Sequence, residues 1–243
     1  AGEGWVGAFG GRAEGAGAER GAGWRLRGTE PSAGHVRLVT DGGPVEAGAV
    51  VIAAGPWIAD LVPELAASLT LTRQVLGWFA PRQPPLFAAD RFPVFILDAP
   101  EDVVYGFPDF AGTGMKCASH HASGVLDHAD RRHTAPGPLD EARLRAVLDR
   151  YVPAASGPLL SMRECIYTRT PDEDFVLDRY PGDARIVVAS PCSGHGFKFG
   201  PVLGEILADL ATGRTPSHDV SRFALRRPAL AGLPAQDRGS DAK

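Results

Sequence analysis

Ser193-Gly194-His195-Gly196-Phe197-Lys198-Phe199 is the stretch on which the reading of this chain turns. Three small residues and a lysine stand just ahead of an apolar helical pattern, Val202, Ile206, Leu207 and Leu210, which Gly213 ends. A glycine-rich turn that opens a helix aims backbone N–H groups and a partial positive charge at whatever lies in front of it. Lys198 adds a full charge at the same place. The pattern predicts a site that holds negative charge. Phosphate-binding helix starts share this feature in many folds, but the spacing is not that of a P-loop.

Outward from this turn, residues 186–189 and 164–167 read as strands. Leu139, Leu144, Val147, Leu148 and Tyr151 fall on one face of a predicted helix that Asp140 caps and Pro153 stops. Short β-like runs at 71–79, 94–97, 103–105 and 114–120 are separated by proline-rich turns such as 81–85, and predict a mostly antiparallel sheet. Residues 49–55 form a continuous apolar run ending in small residues, as expected of a strand buried on both faces whose C-terminal end abuts a ligand. Residues 35–40 and 44–46 flank Asp41-Gly42-Gly43 as a hairpin. Residues 1–30 hold ten of the chain's 30 glycines and no sustained apolar period. That segment is expected to be loose, with order beginning near His35. The polar tail after Leu230 is expected to be disordered.

A chain of 243 residues, 44% hydrophobic, can bury one large core or two small ones. Its net charge of −4 gives no reason to expect nucleic acid or an anionic membrane as partner. Cys117, Cys165 and Cys192 are odd in number and widely spaced, the pattern of thiols in a reducing compartment. The longest apolar stretch, 49–62, carries Asp60 and is too short to span a bilayer, so a cytoplasmic location is expected. His120, His121, Asp127, His128, Asp130 and His133 crowd one stretch and could ligate a metal. No pair of them has a helical His-x-x-x-His arrangement, and Gly124 with the surrounding polar residues predicts a loop; no metal is expected.

Two further patterns carry chemistry. In an extended segment Arg163 and Cys165 share one face, so the guanidinium could stabilise a nucleophilic thiolate there. The alternative is a buried structural cysteine. Lys116 and His120 stand four apart in a predicted strand and point the same way, with about 13 Å of backbone between them. They would serve one site, or form the solvated face of an edge strand.

Four motifs in order resemble the monomeric sarcosine oxidase and N-methyltryptophan oxidase family of flavoproteins. They are Val51-Ile52-Ala53-Ala54-Gly55-Pro56-Trp57; Tyr105-Gly106-Phe107-Pro108 with Gly114-Met115-Lys116 and His120; Cys165-Ile166-Tyr167-Thr168 with Thr170-Pro171-Asp172-Glu173-Asp174-Phe175; and residues 193–199. Arg226-Arg227-Pro228-Ala229-Leu230 extends the likeness, which covers about residues 35–230. The resemblance implies FAD held covalently through the sulfur of Cys165. It implies a flavin environment of Ala54, Gly55, Trp57, Ser193, Gly194, His195, Gly196, Phe197 and Lys198. Lys116 matches the lysine that activates oxygen beside the flavin, His120 and Tyr105 match substrate-pocket positions, and Lys198 matches a lysine that binds the substrate carboxylate.

The fold implied is α/β plus α+β, a truncated two-domain FAD-dependent oxidoreductase. Residues 1–68 would be a partial FAD-binding domain, 69–167 the antiparallel substrate domain, 168–230 the return to the FAD-binding domain, and 231–243 a tail. The reaction implied is oxidation of a small N-methyl amino acid by O2 to the primary amine, formaldehyde and hydrogen peroxide. A related oxidase of glycated or cyclic amino acids, and a non-catalytic remnant, stay open. Gly2, Gly4 and Gly7 satisfy the letters of a dinucleotide fingerprint, but no strand precedes them and no apolar helix follows. The chain is therefore expected to be the C-terminal portion of a longer oxidase; the alternative is a subunit completed by a partner chain that supplies the nucleotide-binding half.

Overall fold

Residues 71–79, read from the sequence as a β-like run, decide where the main core lies. In the computed structural model, which describes residues 11–121, 124–131 and 135–230, this segment is the central strand β5 (Thr70–Phe79) of a six-stranded sheet. The order is β10 (Leu159–Arg169), β5, β8 (Met115–Ser119), β7 (Val103–Phe107), β6 (Phe95–Asp98), and β9 (Gly124–Leu126) also pairs with β5. Every pairing is antiparallel. The Gly2, Gly4 and Gly7 pattern, His133 and the tail beyond Leu230 lie outside the described residues.

One face of this sheet is a packed core. Phe79, Val104, Met115 and Cys117 are buried against Leu144, Val147 and Leu148 of the helix Pro138–Tyr151. Full burial of each such leucine or phenylalanine is worth roughly 1.5–3 kcal/mol. The helix begins at Gly137, whose N–H donates to Asp140 Oδ2 at 2.9 Å, so Asp140 caps it as the sequence predicts. Arg73 of β5 then joins Asp140 (2.9 and 3.0 Å) to Glu164 of β10 (3.0 Å), which ties helix to sheet. The predicted apolar face needs correction at both ends. Leu139 is 87% exposed and Tyr151 is also exposed. The first and last turns extend past the sheet, and only the central residues find it.

A second, three-stranded sheet runs β11 (Val176–Tyr180), β12 (Asp183–Ser190), β4 (Val50–Ile52). The helix Gly200–Ala211 packs Leu203, Ile206, Leu207 and Leu210 on Phe175, Leu177, Val187 and Ala189. Here the reading of 49–55 is corrected. The strand has three residues, with Val50 and Ile52 buried but Val51 39% exposed. An edge strand of this sheet buries one face, not two.

The chain divides between Val50 and Val51 into two compact units. The first holds β1 (Leu26–Ser32), β2 (His35–Thr40) and β3 (Gly43–Ala47) in one antiparallel sheet. Order thus begins before His35. Residues 11–15 are helical, and Leu26–Ser32 pairs along β2 from Leu26↔Thr40 to Ser32↔His35. Backbone pairing compensates for the glycine-rich composition that led to the expectation of a loose segment. Among the described residues no helix is long and apolar enough to cross a membrane.

Candidate active site

The face of the large sheet opposite the helix gathers most of the candidate side chains. Register places Trp78, Lys116 and Phe107 side by side on β5, β8 and β7, and Gln74 opposite Cys165 on β10. Residues opposite one another on adjacent strands share a face, so Tyr105, Lys116, Cys165 and Tyr167 project from the same side.

Lys116 is half-buried with Nζ 5.0 Å from the Phe107 ring centroid and 5.5 Å from that of Trp78. Both distances are within cation–π range. Burial lowers the ammonium's pKa from its usual 10.5, and the charge of nearby Cys165 opposes that shift. The Tyr105 and Tyr167 hydroxyls lie 3.3 Å apart and share one hydrogen bond. Burial, then that hydrogen bond, pushes the Tyr105 phenol well above its usual value, and burial raises Tyr167 too. Both phenols are therefore protonated at neutral pH, and one donates to the other. Tyr105 meets Phe107 edge-on at 6.2 Å, continuing an aromatic row.

Cys165 is exposed on this face, which excludes the buried structural cysteine, and Arg163 is exposed two residues before it. Cys192 is half-buried, its thiol raised mainly by burial and also by the charge of Cys165. Cys117, on the covered face, is pushed up to about 12 by burial, so it stays a protonated thiol.

His120 is placed one residue past β8, which ends at Ser119, not within a strand. Its N–H still donates to Val103 O at 2.7 Å, and its ring lies 6.1 Å from Tyr167, on the site side. Burial, followed by Arg169, His121 and His195, lowers its pKa. Two other histidines of that stretch have separate partners. His121 Nδ1 meets the buried Asp102 at 3.0 Å, and His128 Nε2 meets Asp60 at 3.1 Å. Part of the predicted loop is the strand β9. Among the described residues no group of three acidic, histidine or cysteine side chains could hold a metal.

The 193–196 turn reaches the sheet through Tyr167. Ser193 N donates to Thr168 O at 2.8 Å, and a Cβ on Gly194 would stand 2.6 Å from Tyr167 Cε2. Gly196 packs so tightly that a Cβ would meet Pro191 O at 1.6 Å. Ser193 is buried with φ +46°, and Gly194 has φ +81°. After the turn, Phe197–Phe199 form one 3-10 turn before the helix at Gly200. Phe197 and Lys198 are exposed, with Lys198 Nζ 5.3 Å from the Phe199 ring centroid. His195 Nε2 lies 3.0 Å from Glu173 O and its ring 4.8 Å from Phe175, so it supports the turn from behind. Ala54 precedes the Gly55–Trp57 3-10 turn, which lies beside β10. The Trp57 indole donates to Asp130 at 2.7 Å.

Tyr167 and Trp78 were not singled out from the sequence, although Tyr167 stands two residues from Cys165 and so shares its face. Trp78 carried no local signal, because only strand register puts it next to Lys116.

The sequence pattern of the FAD dependent oxidoreductase family matches residues 6–210. Monomeric sarcosine oxidase of Bacillus sp. (strain NS-129) is 38% identical over 198 residues, 80% of this chain and 51% of that protein. N-methyl-L-tryptophan oxidase of Salmonella newport is 37% identical over 194 residues, 79% of this chain and 51% of its own length. The chain spans about half the length of the curated relatives it matches. Among solved structures, NikD, an unusual amino acid oxidase essential for nikkomycin biosynthesis, aligns with TM-score 0.72 and 26% identity, over 87% of this chain and 56% of that one. Amadoriase I of Aspergillus fumigatus, a fructosyl amine:oxygen oxidoreductase, shares the fold with TM-score 0.68 at 24% identity, over 85% of this chain and 49% of that one.

Proposed function

The chain belongs to the FAD dependent oxidoreductase family, and from that premise we propose that it carries the flavin- and substrate-facing part of an oxidase of N-methyl amino acids, sarcosine or N-methyltryptophan in type. The observation that supports this most is the gathering of Lys116, Cys165 and the Tyr105–Tyr167 pair on one sheet face. The donor set suits a flavin: an exposed thiol, an ammonium seated on two rings, and a turn whose small residues bring backbone close to Tyr167. In this reading residues 69–167 are the substrate domain, and 1–68 with 168–230 belong to the FAD-binding domain.

FAD, when bound, supplies a two-electron acceptor for the N-methyl group and passes the electrons to O2. The protein's own side chains do the rest. Cys165, as thiolate, would hold the cofactor through a thioether; that bond would replace a C–H bond of the cofactor, with the two electrons released going to O2, the oxidant of the overall reaction. Lys198 holds the substrate carboxylate, and the 193–196 turn would face the flavin. Tyr105 and Tyr167, both protonated and bonded to each other, leave one hydroxyl proton to donate into the pocket, and His120 closes its edge. Lys116 keeps a fixed positive charge where negative charge develops on oxygen. Overall, an N-methyl amino acid, O2 and water give the primary amine, formaldehyde and hydrogen peroxide.

The test is a substrate panel of sarcosine, N-methyltryptophan, a fructosyl amino acid and a cyclic amino acid on the purified holoenzyme. Equimolar formaldehyde and peroxide from an N-methyl substrate is the expected result, with turnover reduced about 100-fold in Lys116→Met. Peroxide from only the glycated or cyclic compounds would reassign the substrate, and no peroxide from any member would refute the proposal.

A further inference from the structure

Arg227 lies in the Arg226–Leu230 motif, to which the proposed chemistry gives no role. Only 9% of its side chain is exposed. Its Nε and Nη2 donate to both carboxylate oxygens of Asp172, at 2.6 and 2.9 Å, and its Nη1 donates to Phe175 O at 2.7 Å. Arg222, from the same segment, donates to Asp174 Oδ2 at 2.7 Å. The partners bracket the 170–175 loop, so the fork geometry of one guanidinium fixes that loop at two points.

The loop in turn holds the 193–196 turn. Thr170 Oγ1 donates to Asp174 O at 2.7 Å and lies 3.3 Å from Ser193 Oγ, while Glu173 O lies 3.0 Å from His195 Nε2. Glu173 and Ser193 have φ of +59° and +46°, conformations that L side chains rarely adopt and that persist where surrounding bonds impose them. Both sit at the junction between loop and turn.

We propose that Arg227 is a positioning residue, fixing the 193–196 turn through the 170–175 loop and so orienting Lys198 toward the substrate carboxylate. The last step rests on the proposed role of Lys198; the coupling of the segments does not.

Wild-type holoenzyme, Arg227→Lys and Arg227→Gln are compared by amide hydrogen exchange over 170–175 and 193–199, with KM and kcat for the amine substrate. In Arg227→Gln, exchange accelerates in both segments and KM rises about tenfold with a smaller change in kcat. Arg227→Lys, which keeps the charge but loses the fork, falls between. If Arg227→Gln does not fold, Thr170→Val, which removes the hydroxyl between loop and turn, is expected to accelerate exchange in 193–199. Faster exchange confined to 170–175, with KM unchanged, would overturn the proposal. An unchanged KM in Lys198→Met would instead overturn the role given to Lys198, leaving the exchange result to decide the coupling.

Discussion

Gly194 illustrates how one absent side chain sets the geometry of the site. With φ +81° and the Tyr167 ring 2.6 Å from where its Cβ would be, any larger residue must move both the backbone and the ring. Gly194→Ala is expected to destabilise the protein by about 1–3 kcal/mol and to lower the thermal midpoint by several degrees in a denaturation scan. An unchanged midpoint would show that Tyr167 yields without cost. At this scale the sequence was legible where chemistry is local to a motif. The glycine turn could be picked out by residue type and spacing, whereas Lys116 and Cys165 stood out only through the motifs around them. Trp78 could not, because its nearness to Lys116 follows from strand pairing between residues 38 apart in the chain rather than from any local pattern. His120 was placed in a strand because the run from Met115 continues in small residues up to it; the ladder instead stops at Ser119, where the Ser119 hydroxyl donates to buried Asp102.

Among the elements, β10 spans Leu159–Arg169, well beyond the predicted strand 164–167. Arg163 and Arg169, which flank the predicted part, obscured the rest, since charged residues interrupt the apolar runs on which such readings depend. Glu164 is accommodated by Arg73 across the pair, a compensation visible only once β5 and β10 are neighbours. β11 was missed for a similar reason, as Asp178 and Arg179 interrupt it; Asp178 accepts from Leu225 N and Arg179 donates to Leu210 O. The bonds between the 170–175 loop and the C-terminal segment also carry a pH signature. Hydrogen bonding from Arg227 holds the Asp172 carboxyl at about 2, below its usual 3.8. A depressed carboxylate stabilises the fold above its unfolded pKa, and that contribution is lost as pH falls through the folded value. Stability should therefore decline from about pH 4 toward pH 2, and the decline should be shallower in Asp172→Asn, as read from denaturant unfolding across that range. An identical acid limb in the variant would mean that other lowered carboxylates, Asp140 and Asp183 among them, dominate it.

For the molecule as a whole, the division of labour between the two faces of the large sheet organises the account. One face is spent on the helix Pro138–Tyr151, and the other presents a thiol, an ammonium and two phenols together. The antiparallel sheet, the helix that covers it and the closing helix were all legible in apolar periodicity. The joining of the two sheets' residues at Tyr167 and the 193–196 turn was not, because it depends on Gly194 fitting against a ring contributed by another strand. The central claim is that this face binds FAD and attaches it through Cys165. The visible absorbance spectrum of the holoenzyme after acid precipitation tests it most directly. Yellow colour that stays with the pellet, and that Cys165→Ala releases or abolishes, is the predicted result. Colour that leaves the wild-type protein on precipitation, or stays bound in Cys165→Ala, would contradict it.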